Sequence, residues 1–313
     1  MTERPIDLSR LKRHSLAERA NLVAAADFAR VVGLESTVGE FLDSLPDIHA
    51  GKRLKDLARA IAAARRAGSE VILGLGPHVL KCGLSPLVID LMETRVVTAV
   101  AMNGAGAIHD FEIAAIGATS EDVGRALRDG SFGMARETAE FFAAACRDAA
   151  AGGTGLGAAM GLRIRDARPP HEGKSVLAAG SRLGLEVTVH VAIGTDTVHM
   201  HPEIDGAALG AASLEDFRAF CRVVARSRGG VYANVGSAVL LPEVFLKALT
   251  VAKNLGADLS GLTTANLDQI QHYRPRVNVL ERPGDAGIAL TGHHEILLPL
   301  LRVAILREMA AFR

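Results

Sequence analysis

The sequence predicts an α/β fold: a doubly wound, mostly parallel sheet with helices on both faces and a helical N-terminal arm. Two observations carry this reading. Short, continuously apolar, β-branched runs recur at residues 71–75, 96–102, 185–193 and 230–235, as strands buried on both faces require. Helix-like stretches stand between them, and strand–helix alternation implies parallel pairing. A chain of 313 residues, 49% of them hydrophobic, is long enough to bury a large core.

Before the first strand, Leu16, Ala20, Leu22 and Ala26 recur at near-helical spacing. Residues 54–67 are rich in Ala, Arg and Lys, carry an apolar stripe, and are stopped by Gly68. Residues 1–68 therefore read as a helical arm and residues 69–313 as the sheet domain. After the first strand, Ser85 and Pro86 offer an N-cap and a proline at N1 for an apolar helix through about Met92. A helix from about Ile108 follows the second strand, and residues 121–142 add helical material. The Gly-, Arg- and Pro-rich stretch 152–173 reads as a loop or mobile flap. A small helix from Lys174 leads into the third strand. Ser213 and Asp216 resemble the capping-box start of a helix carrying Phe217, Phe220 and Val224. Pro242 begins a helix through Lys253, residues 259–264 form a fifth strand, and the last helix runs from about Glu295 to Phe312.

Composition removes several functions. Lys and Arg together number 35, as do Asp and Glu, and a formal net charge of zero argues against a nucleic-acid binder. No apolar run reaches the roughly 18–20 residues that a bilayer demands. The polar first residues lack the apolar stretch of a signal peptide. Three cysteines, at 82, 146 and 221, have neither even count nor metal-ligand spacing, which fits a reducing cytosol. The expected partner is a small molecule, and the expected location cytoplasmic.

In open parallel sheets, ligands bind beyond the carboxyl ends of the strands. Gly76, Pro77 and His78 follow the first strand; Asn103, Gly104, Ala105 and Gly106, then His109 and Asp110, follow the second. The third runs out into Asp196, His199, His201, Glu203 and Asp205, the fourth into Asn234, Gly236 and Ser237, the fifth into Thr264, Asn266 and Asp268. Every strand thus ends in small polar or ionisable residues, the mark of a binding crevice. The full dinucleotide fingerprint is not met, because Val79 stands where the third glycine after Gly74 and Gly76 belongs. The turn from Asn103 to Gly106 is better placed, since small residues at a helix start leave amides free to approach a pyrophosphate; close strand–helix packing is the other reading.

Histidines number 11 and are bunched. His199 and His201 could supply two imidazoles to a divalent metal with a carboxylate as third ligand, the basis of an alternative reading as a metal-dependent hydrolase or lyase. His190, alternating with Val189 and Val191, reads as a hydrogen-bonded core residue. His109, Asp110 and Glu112 look like an orienting group or a helix-start anion. His293, His294 and Glu295 open the last helix and suit general acid–base work.

Residues 71–84 and 96–110, followed by the segments 204–210, 229–231, 254–258 and 263–265, occur in an order that resembles the deoxyhypusine synthase-like proteins, over roughly residues 70–310. The resemblance implies a Rossmann-like domain that binds NAD and assembles as a homotetramer. It implies that Asn103, Gly104, Ala105 and Gly106 approach the cofactor, and Gly76 and His78 are further candidate cofactor-binding residues. Asp205 would match an acidic site residue and Glu295 one at the start of the final helix. Asp196, Asp205, His109 and Asp110 are the candidate substrate-binding residues, and His199, His201, His293 and Glu295 the candidate acid–base residues. The family's catalytic lysine, expected about two turns into the final helix beside a tryptophan, has no counterpart: residues 296–301 are Ile-Leu-Leu-Pro-Leu-Leu, and the chain has no Trp. Without an amine nucleophile no lysine imine forms, so deoxyhypusine synthesis is not expected. The expected activity is a redox-assisted transfer or elimination on a small, amine-bearing substrate, with a non-catalytic NAD-binding protein as a further alternative. A weaker likeness joins Asn103, His109, Asp110 and Glu112 to the NAD-binding domain of ornithine cyclodeaminase-type enzymes.

Overall fold

Six strands form one all-parallel sheet in the order β3-β2-β1-β4-β5-β6. They are β1 (Val71–Leu75), β2 (Ala99–Asn103), β3 (Glu186–His190), β4 (Val231–Val235), β5 (Thr263–Asp268) and β6 (Gly287–Thr291). The structure, a computed structural model, describes residues 5–284 and 287–310. It divides into two compact units, Met1–Lys52 and Arg53–Arg313.

The first unit contains three single-turn 3-10 helices, Leu8–Arg10, Leu16–Glu18 and Ala25–Asp27, and helix α1, Val38–Ser44. The helix expected over Leu16 to Ala26 is thus reduced to isolated turns. Leu22 is 98% exposed, and an apolar stripe with nothing to bury against does not sustain a helix. Helix α2, His49–Arg66, continues past the division at residue 52, and its Leu57, Ala58 and Ile61 are buried.

In the second unit the helices are α3 (Pro77–Lys81), α4 (Ser85–Glu93), α5 (Gly104–Ile116), α6 (Val123–Ala126), α7 (Arg136–Gly152), α8 (Leu156–Ala167), α9 (Val176–Leu183), α10 (Gly206–Ala225), α11 (Leu240–Asn254), α12 (Tyr273–Pro275) and α13 (His294–Ala310). One core packs Phe220, Val223 and Val224 of α10 and Phe245 and Leu249 of α11 against Ile72, Ala99, Ala101 and Tyr232 of the sheet. Tyr232 stacks on Phe245 with ring centroids 3.8 Å apart. Helices α5, α8 and α9 lie between β2 and β3 in sequence, and right-handed crossovers put them on the opposite face.

The structure corrects several sequence readings. Residues 152–173 are no flap, for they contain the 12-residue helix α8. Its glycines serve close packing: a Cβ on Gly157 would lie 2.0 Å from the Val187 carbonyl oxygen, and one on Gly161 2.4 Å from that of Leu177. Helix α10 begins at Gly206, with Asp205 as N-cap accepting from the Ala207 amide at 2.8 Å. Ser213 is therefore mid-helix, and its Oγ accepts from Val191 N. The fifth strand lies at Thr263–Asp268, so Thr264, Asn266 and Asp268 are within it. The sixth strand was not anticipated, and α5 starts at Gly104 instead of Ile108. Residues 121–142 hold the short α6 and the first part of α7. Phe312, the expected end of the last helix, lies outside the described residues.

Two buried carboxylates tie helix starts to the sheet layer. Asp216 of α10 accepts from the amides of Gly157 and Val189, each at 2.9 Å. Asp110 of α5 accepts from Ser175 Oγ and from the amides of Val176 and Leu177. Burial pushes Asp216 up to about 7 and Asp110 up to about 6, outweighing the hydrogen bonds that favour the anion. A carboxyl whose folded pKa is raised stabilises the fold at low pH and loses that contribution as pH rises through the folded value. Urea unfolding of wild type and Asp216→Asn should show it. Between pH 5 and pH 8 the wild type loses about 2 kcal/mol more stability than the variant; equal pH slopes would contradict the assignment.

Candidate functional site

The strand order has a reversal point between β1 and β4, where the next strands in sequence leave in opposite directions across the sheet. Their carboxyl ends meet closely. The Gly76 amide donates to the Val235 carbonyl at 2.8 Å. A Cβ on Gly76 would lie 1.9 Å from the Gly236 carbonyl oxygen, so only glycine fits there. Gly236 has φ +70° and lies beneath the His294 ring, 2.9 Å from it at Cε1 by the same construction.

A chain of buried amides runs away from this point. Asn234 and Asn266, paired across β4 and β5, are each fully buried. Asn234 Nδ2 donates to Asn266 Oδ1 at 2.7 Å and to the Ser237 carbonyl at 2.9 Å. Asn266 Nδ2 donates to Gln271 Oε1 at 2.8 Å, and Gln271 Nε2 to the Leu290 carbonyl at 3.2 Å. Asn234 Nδ2 thus uses both of its hydrogens, and Asn234 Oδ1 is left buried without a partner.

Imidazoles gather above these amides. His294, the first residue of α13, is 1% exposed. Its Nε2 lies 3.2 Å from the Leu267 carbonyl, which can only accept. That nitrogen therefore carries the proton, and Nδ1 is a buried acceptor with no partner. The His78 ring meets His294 edge to face, centroids 5.7 Å apart. His78 Nε2 is 3.2 Å from Cys82 Sγ and 3.4 Å from Gln269 Nε2. Burial, then the nearby Glu295 carboxylate, pushes the Cys82 thiol up, so it is no activated thiolate. Exposed His293 and Glu295, 3.8 Å apart, stand at the same helix start.

On the other side of β1, helix α5 leaves β2 directly through Gly104, Ala105 and Gly106. Asn103 Oδ1 accepts from Gly106 N at 3.0 Å. The Asp196 carboxylate packs against the same helix start, for a Cβ on Gly104 would lie 2.1 Å from its Oδ2. The helix start expected to meet a pyrophosphate is thus occupied by the protein's own acceptors. His199 Nδ1 accepts from the amides of Gly194 and Asp196 at 3.1 and 3.2 Å, while His201 Nε2 turns to the Gly133 carbonyl at 2.8 Å.

The site residues named from sequence therefore separate into groups. Gly76, His78, His293 and Glu295 fall at the β1–β4 reversal; Asn103, Gly104, Ala105, Gly106, Asp196, His199 and His201 fall beside the ends of β2 and β3. Asp110 is corrected to a helix cap whose two oxygens are taken up by Ser175, Val176 and Leu177, and Asp205 to the exposed cap of α10. His109 Nδ1 is bound to Thr119 Oγ1 at 2.7 Å, which in turn donates to Glu112. His199 and His201 face different partners, and among the described residues no group of three or more His, Cys, Asp or Glu could hold a metal ion. That removes the geometric basis of the metal-dependent alternative. His190 is a core residue, with burial holding it down to about 3. Sequence reasoning missed Gln269 and Gln271, which follow β5 and carry no motif. A separate apolar groove of about 550 Å³, walled by Phe111, Phe141, Leu162 and Ile164, contains none of the strand-end residues. Among the described residues no helix is long and apolar enough to cross a membrane.

An all-parallel sheet in the order 3-2-1-4-5-6 is the doubly wound, Rossmann-like arrangement of dinucleotide-binding domains. Solved structures share the fold. AgrE, in a ternary complex with ornithine and NAD+, matches at 13% identity and a TM-score of 0.55, over 84% of this chain and 34% of that one. ArgZ, an arginine dihydrolase from the ornithine–ammonia cycle in cyanobacteria, matches at 15% identity and a TM-score of 0.53, over 83% and 33%. The chain thus spans about a third of the length of these two proteins. A candidate deoxyhypusine synthase from Entamoeba histolytica aligns with 87% of this chain and 94% of that one, at 11% identity and a TM-score of 0.49, too low to bear on the fold. No family model matches the chain. No curated protein matches it.

The Gly76–Gly236 contact should be intolerant of any side chain. Gly76→Ala is expected to cost about 2–4 kcal/mol, because the clash is with backbone that cannot rotate away. Urea denaturation measures this, and a loss below about 0.5 kcal/mol, the range of a surface change, would show that the two strand ends can part freely.

Proposed function

We propose that this chain is an NAD-binding enzyme, a divergent member of the deoxyhypusine synthase-like superfamily that lacks the family's catalytic lysine. It would act on a small, amine-bearing substrate by hydride removal and return, in a redox-assisted transfer or elimination. The observation that carries the reading is the reversal between β1 and β4, with two buried acceptors, His294 Nδ1 and Asn234 Oδ1, left unpartnered beside it. In an open parallel sheet this is where a dinucleotide lies. Unpartnered buried acceptors suit a group rich in N–H and O–H donors, such as a carboxamide or a ribose, and NAD offers both. The likeness to AgrE, solved with NAD+ and ornithine, supports the same direction.

Bound at the reversal point, NAD would supply a hydride acceptor. The chain's own residues would do the rest. His294 and Asn234 orient donors through fixed acceptor atoms. His78 and His293 are the imidazoles placed to take or return a proton. Glu295 at the mouth and Asp268 at the end of β5 favour a cationic substrate, and Glu295 is held below the usual carboxylate range by its own backbone amide. Residues 296–301 offer no amine, so a lysine imine plays no part. A homotetramer belongs to the same reading.

A ligand that binds only the folded state raises its melting temperature. NAD at millimolar concentration should therefore raise the melting temperature by several degrees, and Asn234→Leu, if folded, should abolish the shift. Absence of any shift with NAD would falsify the reading. A shift without turnover of any amine or amino acid would leave a binding protein and remove the enzyme.

A further inference from the structure

We propose that the amine-bearing substrate of the reading above also carries an oxyanion, a carboxylate or a phosphate, held by Lys247, Arg274 and Arg282 in the seam between α11 and the segment that follows β5. The amine rests on that reading; the anion rests on a cluster of its own.

A π-helical turn, Arg276–Glu281, continues α12. Such turns are rare and recur at functional sites. Val279 within it belongs to the core that holds Phe245 and Leu249, so the turn packs on α11. Across this seam lies Glu243, partly buried on the first turn of α11. Lys247 and Arg274 both donate to it, and Asn278 Nδ2 joins them at 2.9 Å. Asn278 is 4% exposed, and its Oδ1 accepts from Arg282 Nη1 at 2.7 Å. One carboxylate and one buried amide thus arrange three cations, which leaves a surplus of positive charge. The hydrogen bond from Lys247, with that from Arg274, holds Glu243 below the usual carboxylate range against the effect of burial. All three cations are exposed. An arginine carries five N–H donors and a lysine three, so each can give one to the cluster and keep others for a ligand. Arg276 is placed differently: it pairs with Glu281 and lies over the Tyr273 ring, 5.8 Å from its centroid.

The cluster is built beside the reversal point. The amide of Leu241, two residues before Glu243, donates to Ser237 Oγ, and the Ser237 carbonyl accepts from Asn234. Gln271, three residues before Arg274, joins Asn266 to the Leu290 carbonyl. Both walls of the seam therefore leave the same buried amide chain, and three residues of backbone span at most about 11 Å. Glu295 and Asp268 offer negative charge to an amine, while the seam offers positive charge and N–H donors to an oxyanion. A small molecule with an amine at one end and an oxyanion at the other meets both. A simple polyamine meets only the first.

Titration calorimetry with inorganic phosphate and with acetate, at one ionic strength set by sodium chloride, tests the seam. Wild type should bind one of the two saturably, and the one it binds names the oxyanion. Arg274→Gln and Lys247→Gln should each weaken that binding about tenfold, the scale of one charge-assisted contact. Arg276→Gln removes a charge that is already paired and should leave the affinity unchanged. Arg282→Gln stands in for either variant that fails to fold. Absence of binding for both anions, or equal losses in Arg276→Gln and Arg274→Gln, overturns the seam as a site. The melting temperature with NAD separates this outcome from failure of the reading above. A shift with NAD but no anion binding keeps the dinucleotide and discards the seam; anion binding without that shift keeps the seam and discards the NAD enzyme.

Discussion

The parallel pairing of β1 with β4 is the constraint on which the rest of the molecule depends. Their register, Val71 with Val231 through Leu75 with Val235, ends at two glycines whose backbones touch. Because Gly76 has no side chain, the strand ends stay in contact. Because Gly236 adopts a positive φ, His294 can lie over it. The amide chain from Asn234 to Leu290 then ties the carboxyl ends of β4, β5 and β6 together. Loosening this junction would cost both the fold and the placement of every polar group at the reversal point.

Much of this architecture was legible, and the failures have physical causes. Strands β1 to β4 could be read because burial on both faces leaves a continuous apolar signature. Strand β5, Thr-Thr-Ala-Asn-Leu-Asp, hides behind the very residues that serve the crevice, and β6 is only partly covered and starts at a glycine. Helix α8 was hidden because glycine favours flexibility in isolation, whereas Gly157 and Gly161 are needed for contact with neighbouring backbone. Tertiary contact, invisible in one dimension, reversed the meaning of the same residue. The site was legible as an edge but not as a geometry. His293 and His294 are indistinguishable in sequence, yet one is exposed and the other buried with a fixed tautomer.

The histidine bias resolves into separate roles. His190 is neutral packing, T-shaped against Phe220 at 5.4 Å. His109 and His201 secure loops through Thr119 and Gly133. Only His78 and His294 meet each other, and they do so at the reversal point. A cluster of the same composition in sequence thus mixes structural and candidate chemical groups. What separates them is whether the second ring nitrogen is satisfied: in His294 and His199 it is buried and unmet. A buried unmet group costs about 1–3 kcal/mol, and a partner that met it would recover that cost.

On the proposed reading, the last helix keeps the frame of a site whose chemistry differs from that of the resembled family. Over the first two turns of α13, where the resembled family's lysine would fall, residues 296–301 are Ile-Leu-Leu-Pro-Leu-Leu. Leu298 and Leu301 are buried, so this stretch now contributes packing. Pro299 interrupts the helix one turn after Glu295, which removes an internal hydrogen bond and tends to bend the axis there. The first turn, however, still presents His294 to the crevice and Glu295 to its mouth. On the proposed reading, a substrate at this edge can lose and regain hydride and protons, but it cannot be held covalently. That restricts the reaction to steps in which the transferred or eliminated group is never parked on the protein.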